Sequence, residues 1–227
     1  MQKAYQALRV ISEAQTIHII LTSQPEALML TELITTCEGL LASGADGIKA
    51  VILDFVGQSG MPQEIPLDLL SRAREAVRAV PQPVLMVIRA NLSHAASQLI
   101  EEGDCTLIAY EASLLLPLGA ENATQEPGEQ RVGGRSAERL GKATWATSGG
   151  NLNRKLESIL DMLRAKSALT LQAAKASARL GQQTSISTLE ALHQINQRYL
   201  ENALQTTDAR EGVQAFLEKR QPHWKNR

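Results

Sequence analysis

The sequence predicts an α/β fold followed by a helical C-terminal region. Three observations carry this. Strand-like and helix-like apolar patterns alternate through the first 117 residues. The strand-like runs are almost continuously apolar, as expected for strands covered on both faces. After residue 150 the apolar residues recur at helical spacing.

Taken in order, Thr16 to Leu21 (TIHIIL) reads as a strand that stops at the turn Thr22-Ser23-Gln24-Pro25. From Glu26 to Ser43, the residues Leu30, Leu33, Ile34, Cys37, Leu40 and Leu41 share one helical face, and Gly44 ends it. Lys49 to Phe55 is the next strand, followed by a glycine-containing loop from Val56 to Gly60. Leu67 to Val80 reads as an amphipathic helix and Pro83 to Ile88 as a buried strand. A short helix is expected over Ala95 to Glu102, then short strands over Cys105 to Ala109 and Ser113 to Leu116. Crossovers between such strands are normally right-handed.

Pro117 to Gly150 lacks periodic apolar residues and reads as a long loop with a short helix near Ser136 to Leu140. Beyond it, Leu152, Leu156, Ile159, Leu160 and Leu163 mark one helix, and Ala168 to Leu180 a second that stops at Gly181. A third is expected to start at Ser187 with Glu190 as its capping-box partner, and a fourth at Asp208 with Glu211 in the same role. The chain divides into a core over 1–117, the loop or short-helix segment over 118–150, and a helical region over 151–227.

Composition excludes several classes of function. A net charge of −1 gives no bulk electrostatic case for a nucleic-acid or membrane-surface partner. Aromatic residues are 3% of the chain, too few for base-stacking platforms. No apolar run approaches the ~20 residues of a spanning helix, and the N-terminus lacks the apolar segment of a signal peptide. Cys37 and Cys105 have no metal-ligand spacing, so no metal is expected, and two thiols suit a reducing, cytoplasmic setting.

Four stretches together resemble the crotonase (enoyl-CoA hydratase/isomerase) superfamily. They are TIHIIL with Ser23 to Leu28; IKAVIL before its glycine-containing loop; Pro83 to Pro117, with Asp104, Ala112 and Pro117 in register; and Thr207 to Pro222, which is very similar to the family's C-terminal helix. The resemblance implies a spiral of ββα units, a helical C-terminal oligomerisation region, and a trimer or dimer of trimers. It also implies an acyl-CoA ligand, with coenzyme A part of the thioester and no separate cofactor.

Family members stabilise an enolate-like oxyanion with two backbone N–H groups, one beyond the second strand's loop and one from a triple-glycine turn. Such preorganised donors are worth a factor of about 10²–10³ each. In register, His94-Ala95-Ala96 replace the triple glycine, so Ala95 is the candidate donor, and Gly57 or Gly60 is the candidate for the other. The two glutamates of hydratases fall on Gln98 and Leu118, neither of which transfers a proton near neutral pH. Glu101 is a candidate replacement or a solvated helix end. His94 is a candidate base by its ordinary pKa, or a turn histidine. His18 reads as a core or sheet-face residue and His193 as a helix-surface one. The resemblance places CoA against Gln24, Ala27 and Leu28, near Glu26, and against Lys219, Arg220 and Trp224, near Lys225. Cations beside an indole suit a phosphorylated adenine, while a solvated basic tail is the plainer reading. The expected function is therefore acyl-CoA binding with divergent or weak catalysis; the alternative is a non-catalytic crotonase-fold subunit that oligomerises with or regulates a partner.

Overall fold

The computed structural model describes residues 5–43, 47–57, 65–117, 129–181 and 188–226. A six-stranded sheet runs in the order β1 (Leu8–Glu13), β2 (Thr16–Leu21), β3 (Ala50–Phe55), β4 (Val84–Ile88), β5 (Cys105–Ala109) and β8 (Trp145–Thr147). All neighbours are parallel except β1 and β2, which form an antiparallel hairpin. The order follows the chain because each crossover carries one helix: α1 (Ala27–Ala42), α2 (Leu67–Ala79) and α3 (His94–Ile100). Equal-handed crossovers put these helices on one face. Gly103, at the end of α3, lies against Met86 of that face so closely that a Cβ would stand 2.4 Å from Met86 Cγ.

The opposite face is covered by α5 (Gly149–Arg164). Leu152, Leu156, Ile159 and Leu160 of α5 are buried, at the helical spacing the sequence displays. β3 and β4 are buried at every residue, the consequence of helices on both sides. After α5 come α6 (Ala168–Gly181), α7 (Thr188–Arg198), a π-helical turn over Tyr199–Ala203, and α8 (Thr207–Leu217).

Three expectations change. The hairpin strand β1 is additional: its two-residue turn, Ala14-Gln15, has φ of 46° and 64°, a primed geometry without the glycine or asparagine that signals it. The stretch over 118–150, expected to be a long loop with a short helix near Ser136 to Leu140, has that helix as α4 (Gly134–Arg139) and adds β7 (Glu129–Gly133), paired with β6 (Ser113–Pro117), and β8. Three-residue β8 is too short for a periodic signal. Helix α8 is capped by Thr206, whose Oγ1 accepts from Ala209 N at 3.1 Å, and not by Asp208, which is buried at 2% exposure. The cap expected at Ser187 lies outside the described residues.

Candidate functional site around the amino end of α3

Three loops meet at the carboxyl ends of β2, β3 and β4, where open α/β sheets place their ligands. They are the segment after β2 (Thr22 to Glu26), the start of the segment after β3 (Val56, Gly57), and the segment after β4 (Arg89 to Ser93). The last enters α3, with Ser93 as N-cap accepting from Ala96 N at 3.3 Å. Ala95 is the second residue of α3, so its N–H belongs to the first turn, which no intrahelical carbonyl reaches.

Gln24 holds these loops together. Its Nε2 donates to Gly57 O and to Asn91 O, both at 3.0 Å, and its Oε1 accepts from Ser93 N at 2.9 Å. Asn91 Oδ1 in turn accepts from Ser113 Oγ at 2.7 Å, and Ser97 Oγ accepts from Leu115 N at 2.9 Å, so β6 is tied to the same place. Gly57 is required here by close approach: a Cβ would stand 2.1 Å from Thr22 O.

The candidate residues separate on inspection. Ala95 lies in the first turn of α3, half-buried. His94 and Gln98, one helical turn apart, hydrogen-bond to each other, with His94 exposed. Glu101 is the C-cap residue of α3, half exposed, with its carboxylate 3.3 Å from Arg74. Gly57 N–H donates to Leu21 O at 3.3 Å, the carbonyl that also accepts from Val56 N. Gly60 and Leu118 lie outside the described residues.

Ala27 and Leu28 are exposed at the start of α1. Gln24, expected to meet CoA, has both amide hydrogens engaged within the chain.

The C-terminal candidates are engaged as well. Arg220 reaches Glu211 at 2.6 Å and Glu218 at 2.6 Å. The Arg220 side chain, with the His223 N–H, holds the Glu211 carboxyl down to about 2. Trp224 Nε1 donates to Ala165 O at 2.9 Å, and its ring lies 3.4 Å from where a Cβ on Gly212 would stand. Lys219 ends α8 at φ 53°, the left-handed position of a helix C-terminus, with its own N–H donating to Phe216 O. Buried Asp208 accepts from Ser167 Oγ, Lys225 N and Asn226 N. The tail is thus a clasp on the α5–α6 junction.

Sequence reasoning missed a polar cluster on the α5 face. Asp54, 2% exposed, takes three contacts of 2.7–3.0 Å from Arg89 and one of 2.9 Å from His18 Nε2, while Arg89 Nη1 donates to Asn153 Oδ1 at 2.8 Å. Burial acts to raise the Asp54 pKa, but the His18 and Arg89 hydrogen bonds outweigh it and lower it. The available signal was a lone acid and a lone base, each ending an apolar strand run. Among the described residues there is no group of three His, Cys, Asp or Glu side chains placed to hold a metal ion.

Comparison with known proteins fits this geometry. The enoyl-CoA hydratase/isomerase family model matches residues 128–227, less than half of the chain. The fold is similar to the enoyl-CoA hydratase of Bacillus anthracis (20% identity, 98% of this chain and 100% of that one, TM-score 0.80). It is also similar to a putative enoyl-CoA hydratase of Streptomyces coelicolor A3(2) (17%, 100% and 97%, TM-score 0.83). A probable enoyl-CoA hydratase/isomerase of Mycobacterium abscessus gives 15%, 98% and 100%, with TM-score 0.81. No curated protein matches by sequence. The chain therefore has the crotonase fold. Its resemblance to the crotonase superfamily, read first from four sequence stretches, is met by both the fold and the C-terminal family match.

Proposed function

We propose that this protein binds an acyl-CoA thioester at the carboxyl ends of β2, β3 and β4, against the amino end of α3, and performs hydratase chemistry weakly or not at all. The helix start supports the first part, because first-turn N–H groups favour developing negative charge. Gln98 carries the second. Where the resemblance calls for a carboxylate, this chain has an amide bonded to His94. General acid–base help is worth about 10²–10⁴. Any remaining turnover would be of the isomerase, decarboxylase or thioester-hydrolase kind, with no cofactor beyond the CoA of the substrate. The cytoplasm suits it, since both cysteines are free thiols.

Calorimetry with CoA and a short acyl-CoA tests the ligand, with binding expected. Crotonyl-CoA assays test the chemistry, and hydration is expected to stay far below the ~10 s⁻¹ of an ordinary enzyme. A rate near that figure refutes the weak-catalysis reading.

A second reading, a non-catalytic subunit that oligomerises with or regulates a partner, is favoured by the C-terminal helices. Leu189, Leu192, Tyr199, Leu204, Val213 and Phe216 are exposed there, more apolar surface than isolated side chains explain. A trimer or dimer of trimers would cover it. Sedimentation of the wild type and of Phe216→Glu is expected to show an oligomer weakened by the substitution. Absence of CoA binding, together with co-assembly with an active relative, would favour this reading over the first.

A further inference from the structure

We infer that β1 is a self-association edge: a second copy of this chain adds its own β1 antiparallel to the free side of the sheet, with Ile11 at the two-fold axis and Arg9 of each copy opposite Glu13 of the other. This goes beyond the acyl-CoA reading and depends neither on it nor on the C-terminal helices.

β1 is an outermost strand of the sheet, and among the described residues it pairs with β2 alone. Backbone groups along an antiparallel strand turn alternately toward and away from the neighbour, so one residue fixes the others. Leu8 fixes them here. Its N–H donates to Glu32 Oε2 at 3.1 Å, away from β2. Leu21, directly across from it, gives its carbonyl to Val56 N at 3.1 Å, away from β1. Leu8 and Leu21 are therefore a non-hydrogen-bonded pair, and at the same period Val10 and Ser12 present their N–H and C=O outward. This free stretch is bounded at both ends. Glu32 also accepts from Gln6 N and Ala7 N and closes its start. At its far end Ala14 leaves the strand at φ 46° and its carbonyl accepts from Arg164 Nε at 3.2 Å. Between these stops, Val10 and Ser12 need a partner strand or water.

The side chains select the occupant and its register. Arg9, Ile11 and Glu13 share one face of β1, with Ile11 half-buried and both charges exposed. An antiparallel copy exchanges backbone bonds only where outward-facing residues meet. Val10 opposite Ser12 of the second copy meets that condition, and the two-fold axis repeats it. This register sets Ile11 against Ile11 of the second copy in a non-hydrogen-bonded pair, where side chains stand closest, and it sets Arg9 against Glu13 on either side. Sliding the copy by one backbone repeat puts Ile11 opposite Arg9 in one direction and opposite Glu13 in the other. Charge on an edge strand ordinarily repels a partner. Here the two signs are opposite, and the two-fold axis brings each to the other. The contact is isologous, so it closes as a pair.

The test uses the full-length protein, with substitutions at exposed or half-buried positions of β1. Sedimentation equilibrium is expected to show the wild type as an even-numbered assembly that dissociates on dilution. Arg9→Glu and Glu13→Arg should each raise the dissociation constant roughly tenfold, because each sets like charges opposite one another. An equimolar mixture of these two variants should recover wild-type association, since every charge then faces its opposite. Under mild oxidation Ile11→Cys should form a disulfide-linked dimer, because the Cα atoms of such a pair stand about 4.5 Å apart. Glu13→Cys should not, because its own copy lies about 14 Å away along the ladder. A wild type that is monomeric, or assembled only in odd numbers, overturns the inference. So does association that both charge variants leave unchanged, a mixture that fails to recover, or a Glu13→Cys cross-link as efficient as that of Ile11→Cys.

Discussion

The two ends of the parallel sheet are built from opposite materials. At the amino ends of β4 and β5 the chain concentrates charge. Asp104 accepts from Val84 N and pairs with Lys175 at 2.8 Å and Arg179 at 3.1 Å. Buried Glu102 pairs with Arg74 at 2.9 Å, and Lys175 also donates to Gln82 O. At the carboxyl ends, around α3, the groups are mostly amides and hydroxyls, from Gln24, Asn91, Ser93, Gln98 and Ser113, with Arg131 donating to Ser113 Oγ at 2.9 Å. Asp54, near that end of β3, turns to the α5 face and pairs with Arg89. Charge at the first end docks helices, and amides and hydroxyls tie the loops at the second. An end built largely from amides and hydroxyls can orient a polar ligand, and Gln98 there cannot transfer a proton as a glutamate would.

The contrast can be broken by mutation, starting where charge is buried. Asp104→Ala strips Lys175 and Arg179 of a partner with Lys175 8% exposed, and is expected to cost about 3 kcal/mol in urea unfolding, since an orphaned buried charge is expensive. Lys175→Met and Asp104→Ala combined should cost less than the sum of the two, a double-mutant cycle that isolates the pair. If Asp104→Ala unfolds like the wild type, the charged end is ornament and the comparison fails.

Adding a carboxylate to the amide-rich end is the next test. Gln98→Glu is expected to raise crotonyl-CoA hydration over the wild type by up to about 10²-fold, the lower end of general-base assistance. Steady-state kinetics on both proteins decides it. No gain at all would mean that Gln98 does not face the thioester.

Acid stability separates Asp54 from the rest. Its pKa is lowered in the folded state, so its contribution is fully present above the ordinary aspartate value and is lost as pH falls through the lower folded one. The wild type should therefore lose stability below about pH 4 more steeply than Asp54→Asn. Parallel unfolding midpoints against pH would remove the Arg89–His18 account of that shift. The smallest effect is expected from Glu101→Gln. Its 3.3 Å pair with Arg74 is half exposed, and the change should move stability by less than about 0.5 kcal/mol and leave CoA affinity unaltered.

Much of the architecture was legible because it depends on short-range periodicity. TIHIIL and PVLMVI read as strands, and Leu152 to Leu163 as a helix, because burial on one or both faces writes itself into consecutive residues. β1 and β8 were not legible: one turns through Ala14-Gln15 without a turn signature, and the other has three residues. The site was half legible. Position along the chain marked Ala95 and Gln98, but the partners of Trp224, Arg220 and Gly57 arrive from elsewhere in the fold.

By itself, the sequence determined the alternation of strands and helices, the helical C-terminal region, and an amide at position 98 where resemblance calls for an acid. Tertiary structure alone decided which polar groups remain available for chemistry. A side chain's donors are settled by what lies within 3 Å of them, and for Gln24 those neighbours are up to 69 residues distant along the chain.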